Sequence, residues 1–188
     1  FAHNAIQSIG KKAIVAAVTP HFGGLTEGGE EYVVELALRD DIVSVNLDTS
    51  GMGLHKRGYR PLTYTAPLKE TTAAALIDLS VWNPDKMFTD LFCGSGTLCI
   101  EAALKALKIA PGLNRTFAYR NWACVPQTAY ERALEEAHDI RVDRQVNIVG
   151  GDINPKAIEL AQKCASGAGV ADYVKFNLRN ATDFVTRS

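Results

Sequence analysis

The sequence predicts an α/β protein, with a parallel, doubly wound sheet over its second half and a smaller α+β segment before it. Three observations carry this. Beyond Pro61, the short apolar runs Met87–Phe92, Val146–Val149 and Val174–Leu178 are separated by helical patterns, as a parallel sheet requires. Gly94 and Gly96 stand where the first run gives way to a helix, a strand-to-helix turn suited to a ligand. Before Pro61 the period is two: Tyr32, Val34, Leu36 and Leu38 alternate along one strand, and Val43, Val45 and Leu47 along another.

Each element has a local reason. Gln7–Val18 reads as a helix because Ile6, Ile9, Ala13, Ile14 and Ala17 recur at spacings of three and four. Gly23–Gly29 is a loop. The two alternating runs, joined by Arg39–Asp41, form an antiparallel hairpin with one wet face. Asp48–Arg60 is a glycine-bearing junction. Thr65–Trp82 holds a helix around Thr72–Leu79, and Thr97–Leu107 is a strong helix stopped by Pro111-Gly112. Gln127–Asp139 is a charged amphipathic helix. Val146–Val149 leads through Gly150-Gly151-Asp152 into a helix from Pro155 to about Ser166. Proline suits the first position of that helix, and Gly167 and Gly169 suit its end.

Composition narrows the functional classes. The 188 residues are 47% apolar and 22% charged, which suits a folded domain and excludes a disordered or fibrous chain. A net charge of −1 argues against a dedicated nucleic-acid coat or tail. No window is apolar for the roughly 20 residues a membrane span needs, and no secretory signal opens the chain, so a cytoplasmic location is expected. Cys93, Cys99, Cys124 and Cys164 lack metal-site spacing, so reduced thiols and no metal are expected.

The chemistry gathers at DLFCGSGT, Asp90 to Thr97. Glycines at 94 and 96 let a ligand lie against backbone, and the helix start behind them offers free N–H groups that suit an anion. The third glycine of a dinucleotide fingerprint is here Cys99, which counts against NAD. Asp90, four residues before Gly94, would repel a pyrophosphate but bind a cationic amino group such as S-adenosylmethionine presents. Asp152, at the end of the next strand in GGDINP, can accept both hydroxyls of a ribose. Asp183, after the third strand, can accept from an adenine amino group.

LDTSGMGLHKRGYR (Leu47–Arg60), TAPLKETTAAAL (Thr65–Leu76), DLFCGSGTLCIEAA (Asp90–Ala103), IAPGLNR (Ile109–Arg115) and GGDINPKAIELA (Gly150–Ala161) together resemble one family. It is the bacterial RNA guanine-N2 methyltransferases with a THUMP domain, often labelled N6-adenine-specific DNA methylases. The resemblance implies the C-terminal part of a THUMP-like RNA-binding domain over residues 1–50, a junction over 51–64, and a methyltransferase domain over 65–188. That last domain would be the N-terminal, cofactor-binding half of a Rossmann-like S-adenosylmethionine-dependent fold. It also implies that Ala66, Pro67 and Leu68 line the methionine end of the cofactor. Asp90, Phe92 and the loop Cys93, Gly94, Ser95, Gly96 and Thr97 would lie beside it. Asp152, with Ile153 and Asn154, would hold the ribose, and Asp183 the adenine.

The family's reacting motif, Asn/Asp-Pro-Pro-Tyr/Phe after the fourth strand, does not carry over. Asn83-Pro84-Asp85 and Asn154-Pro155-Lys156 lack the second proline and the aromatic, so no catalytic residue is assigned and this stretch alone is expected to be inactive. The expectation is a parent chain extending beyond both Phe1 and Ser188.

Two acid-free stretches suit RNA. Leu54–Lys69 carries Lys56, Arg57, Tyr59 and Arg60; Ala102–Tyr130 carries Arg115 and Arg120 among Phe117, Tyr119 and Trp122. Cations bind phosphates and aromatic faces stack on bases. Packing of these aromatics within the fold is the competing reading. The function expected is an S-adenosylmethionine-dependent RNA methyltransferase forming N2-methylguanine in ribosomal RNA. A DNA adenine-N6 methyltransferase, a non-catalytic RNA- or cofactor-binding fragment, and more distantly an NAD oxidoreductase, are the alternatives.

Overall fold

The computed structural model describes residues 2–22, 28–60 and 68–183. They form two compact units: residues up to Gly51 together with Phe117–Val125, and Met52–Thr116 together with the residues from Pro126 onward.

The first unit holds helix α1 (Ala2–Phe22) and strands β1 (Val33–Arg39) and β2 (Ile42–Asp48). β1 and β2 pair antiparallel from Val33↔Asp48 to Arg39↔Ile42. The connecting residues Asp40 and Asp41 both have positive φ (50° and 59°), the backbone of a two-residue turn that matches strand twist. The register puts Val34, Leu36, Leu38, Val43, Val45 and Leu47 on one face, as the alternation predicts. That face is not a closed core among the described residues, since Val43 and Val45 are each 62% exposed. Gly10 of α1 meets Leu36 so closely that a Cβ there would overlap the leucine.

Phe117–Val125 belongs to this first unit rather than to the fold on either side of it in sequence. Trp122 is buried, with its ring 4.8 Å from that of Tyr32. Its indole N–H donates to the Glu31 carbonyl at 3.1 Å, and the Tyr119 N–H donates to the Thr49 carbonyl at 3.2 Å. The competing sequence reading, packing of the aromatics, therefore describes Trp122.

The second unit is built on three parallel strands in the order β3-β4-β5: β3 (Phe88–Asp90), β4 (Ile148–Asp152) and β5 (Val174–Leu178). Around them lie α2 (Glu70–Leu79), α3 (Thr97–Ala106), α4 (Gln127–Asp139) and α5 (Pro155–Gly167). Eight of the ten residues of α3 are buried, which makes it the centre of the unit, packed on α2, the sheet and α5. Its alanines at 102, 103 and 106 let neighbours approach closely, while Ile100, Leu104 and Leu107 join Ile148, Ile158 and Val174 in the core.

β4 runs on through Gly150 and Gly151 to Asp152, three residues past the expected end at Val149. Glycine usually weakens a strand, but a Cβ on Gly150 would lie 2.6 Å from the Phe176 ring and 3.1 Å from Cys93 Sγ. Ring packing takes the place of a side chain, and the strand continues. Among the described residues, no helix is long and apolar enough to cross a membrane.

Candidate cofactor site

All three strands of the second unit present their carboxyl ends on one side, where open parallel sheets bind ligands. β3 ends at Asp90, whose Oδ1 accepts the Phe92 N–H at 3.1 Å. The Cys93 N–H donates to the Gly151 carbonyl at 2.8 Å, tying the loop to β4, and the Gly96 N–H donates to the Cys93 carbonyl at 2.8 Å to close the turn. Gly94 and Gly96 both have positive φ, 53° and 76°. A Cβ at Gly94 would meet nothing within 4 Å, so that side of the backbone is open, whereas one at Gly96 would lie 2.7 Å from Phe176. Phe176 is therefore the floor of the loop. Its position in the alternation of β5 was the available signal, but nothing local tied it to glycines 80 residues earlier.

Asp152 is the joint of the site. Its Oδ2 accepts the Gly94 N–H at 3.0 Å and its Oδ1 accepts the Asn154 N–H at 2.8 Å. Within the loop itself the Gly94 and Gly96 amides are already engaged, the first by a carboxylate from the protein's own β4 and the second by a carbonyl. An ionised carboxylate offers about four acceptor positions, so Asp152 retains about two for a ligand's hydroxyl donors.

Burial pushes the Asp90 carboxyl up, the Phe92 amide opposes this, and the Asp152 charge adds to it. A cationic group placed beside the pair would offset the burial cost and the mutual repulsion of the two carboxylates; a pyrophosphate would add to the repulsion. Burial, with Asp90 and Asp152 nearby, pushes the Cys93 thiol up to about 12, so Cys93 packs rather than attacks. Asn154 caps α5 through its Oδ1, which accepts the Lys156 N–H at 3.0 Å, with Pro155 at the first helical position. Phe92 and Ile153 flank the acids with exposures of 80% and 70%. Asp183 lies exposed in a single 3-10 turn after β5. Leu68 is exposed, and Ala66 and Pro67 lie outside the described residues. The acids, the open glycine and the exposed apolar side chains fit a ligand with a cationic end, a diol and a flat amino-bearing ring.

The expected RNA contacts divide. Lys56 and Arg120 are exposed. Arg57, Tyr59 and Arg115 are buried and turned inward, and Arg60 is largely so. Arg57 Nε lies 3.0 Å from Glu101 Oε1, and the Tyr59 hydroxyl donates to the same oxygen at 3.0 Å. Arg115 donates to the Gly53 carbonyl at 3.1 Å and to the Met52 carbonyl. Sequence reasoning missed Glu101 and Glu70, the acids that receive these cations. The signal for Glu101 was an acid inside the otherwise apolar run TLCIEAALKA. Asn83-Pro84-Asp85 is a turn, with Asn83 Oδ1 accepting the Asp85 N–H at 3.0 Å.

Burial pushes Glu101 up to about 7, with Arg57 and the Tyr59 hydroxyl opposing. Between the ordinary carboxyl range and pH 7 the native state then binds more protons than the unfolded chain, so stability falls as pH rises through that window. The loss is at most about 3 kcal/mol. Urea unfolding at pH 5 and pH 8 should show it, and Glu101→Gln should flatten the slope; an unchanged slope would refute the assignment.

The model of the family described as UPF0020, RMKL-like, methyltransferase domain matches residues 57–188. The Bacillus subtilis protein named "Putative RNA methyltransferase YpsC" is 42% identical over 185 residues, covering 96% of this chain and 48% of that one. Ribosomal RNA large subunit methyltransferase K/L of Shewanella baltica is 38% identical over 157 residues, covering 80% of this chain and 22% of that one. A predicted N6-adenine-specific DNA methylase from Listeria monocytogenes superposes with a TM-score of 0.94 at 44% identity, covering 99% of this chain and 50% of that one. The structure described as "SMU.472, a putative methyltransferase complexed with SAH" gives 0.90 at 42%, covering 98% and 50%. The chain thus spans about half the length of YpsC and of these solved structures. A family match over residues 57–188, most of the chain, makes this protein a member of the RMKL-like methyltransferase domain family.

Proposed function

We propose that this chain is the cofactor-binding part of an S-adenosylmethionine-dependent RNA methyltransferase acting on a guanine N2 amine of ribosomal RNA. The observation that carries the reading is Asp152, which clamps the glycine loop through Gly94 while keeping acceptor positions for a ribose. When bound, S-adenosylmethionine supplies an electrophilic sulfonium methyl for an amine nucleophile. Asp90 would face the cationic end, Asp152 the ribose, Ile153 and Phe92 the flat faces, and Asp183 the adenine amino group. Support for RNA comes from the names of the relatives and from exposed Lys56 and Arg120. The hairpin unit is read as the C-terminal part of a THUMP-like domain, and the loop that presents the amine as part of a longer protein.

Calorimetric titration tests the cofactor reading. S-adenosylhomocysteine should bind and NADH should not; NADH binding without S-adenosylhomocysteine would overturn it. The substrate reading is tested with the longer protein and tritiated S-adenosylmethionine. Label should enter ribosomal RNA as N2-methylguanine; label in DNA as N6-methyladenine would replace it with the DNA reading, which the name of the Listeria structure favours.

A further inference from the structure

We propose that Arg60 is a positioning residue for the amino-acid end of the cofactor, acting through Thr97 and Ser95; the inference rests on the S-adenosylmethionine reading above. Arg60 is mostly buried, with a side-chain exposure of 14%. Its Nη2 donates to Thr97 Oγ1 at 2.6 Å and to the Leu68 carbonyl at 3.3 Å, while its Nη1 lies 3.6 Å from Glu70 Oε1. One guanidinium thereby joins the chain just before α2, the first turn of α2, and the first residue of α3.

The Thr97 hydroxyl is 3.2 Å from that of Ser95, and Ser95 stands between the two left-handed glycines. A guanidinium has donors only. The bond between the two hydroxyls can run either way; with Thr97 Oγ1 accepting from Arg60, the arrangement in which Thr97 donates to Ser95 frees the serine proton for a further acceptor. A hydrogen-bond chain that starts on a cation is polarised along its length and ends as a strengthened donor. Such a donor suits an anionic acceptor. Asp90, Asp152 and Asp183 can take the cationic group, the hydroxyls and the ring amine of the cofactor, which leaves the carboxylate of its amino-acid end as the group without a partner. The same guanidinium fixes the Leu68 carbonyl just before α2.

A purely structural role, holding α2 on α3, would affect every ligand of the site alike. The test therefore pairs S-adenosylhomocysteine with 5′-methylthioadenosine, which lacks the amino-acid end. Both are titrated calorimetrically into the wild type, Ser95→Ala, Arg60→Lys and the double variant Arg60→Met/Glu70→Gln, which avoids leaving Glu70 buried and unpaired. Expected is a loss of about tenfold or more in S-adenosylhomocysteine affinity for Ser95→Ala and the double variant, the size of one hydrogen bond to a charged group. The affinity for 5′-methylthioadenosine should stay within about twofold. Arg60→Lys should recover part of the loss, since an ammonium can serve Thr97 but not all three partners. Ser95→Ala leaves the ion pair intact and tests the terminal donor by itself, so wild-type S-adenosylhomocysteine affinity in this variant overturns the role of Arg60 even if the Arg60 variants fail to fold. Equal weakening of both ligands, or no change for either, overturns the role of Arg60. Failure of the wild type to bind S-adenosylhomocysteine overturns the cofactor reading, and this inference with it.

Discussion

Asp152→Ala is expected to weaken binding of S-adenosylhomocysteine by at least about a hundredfold, taking it out of calorimetric range. Two hydrogen bonds from ribose hydroxyls to a charged acceptor are worth roughly 1.5–3 kcal/mol each, and every 1.4 kcal/mol is a factor of ten. A second loss accompanies the first. The Gly94 N–H gives up its acceptor at 3.0 Å, and the Asn154 N–H gives up its acceptor at 2.8 Å, so the loop and the start of α5 lose their common anchor. Asp152→Asn separates the two effects. It keeps one side-chain acceptor, and an intermediate affinity with near wild-type melting is expected. An Asp152→Ala protein that binds as tightly as wild type would show that the ligand lies elsewhere.

The largest expected effect on stability comes from Arg57 and Glu101. Arg57 is 8% exposed and Glu101 3%. Removing one member of a buried pair strands the other, and at pH 8, above the range in which Glu101 takes up a proton, Arg57→Met is expected to cost about 3–5 kcal/mol. Folded domains have about 5–15 kcal/mol in all, so this single change should bring the unit close to unfolding. Arg57→Met/Glu101→Leu, which removes both charges but leaves the buried Tyr59 hydroxyl without its acceptor, should recover part of the loss, and Tyr59→Phe should cost about 1.5–3 kcal/mol. Urea midpoints read all three. Lys56→Glu is the contrast: exposed, it should leave the midpoint unchanged while weakening RNA binding and its salt dependence. If Arg57→Met instead lowered RNA affinity with an unchanged midpoint, the phosphate-binding reading of Arg57 would be restored.

This pair also shows where sequence reading fails. His55-Lys56-Arg57-Gly58-Tyr59-Arg60 is cationic, aromatic and free of acids, which looks like a surface for phosphates. Its acids exist, but Glu70 is 10 residues from Arg60 and Glu101 is 44 residues from Arg57, on helices α2 and α3. A local window cannot see such pairs, because the chain brings them together only when α3 becomes the core. Trp122 is a similar case, since its partner Tyr32 is 90 residues away. Local elements fared better: helix Gln127–Asp139 and strand Val174–Leu178 occur with the bounds their patterns predict.

What the sequence determined by itself is therefore local or periodic. The hairpin, the alternation of strand and helix, the glycine loop and the acids at strand ends all follow from side-chain spacing and from the few conformations open to glycine, proline and aspartate. Tertiary structure alone decided what each charged group faces. It folded Arg57, Arg60 and Arg115 inward, engaged the Gly94 amide with Asp152, set Phe176 beneath the loop, and carried β4 through two glycines. The physical reason is common to all four: a buried polar group or a missing side chain is tolerated only where a distant part of the chain completes it.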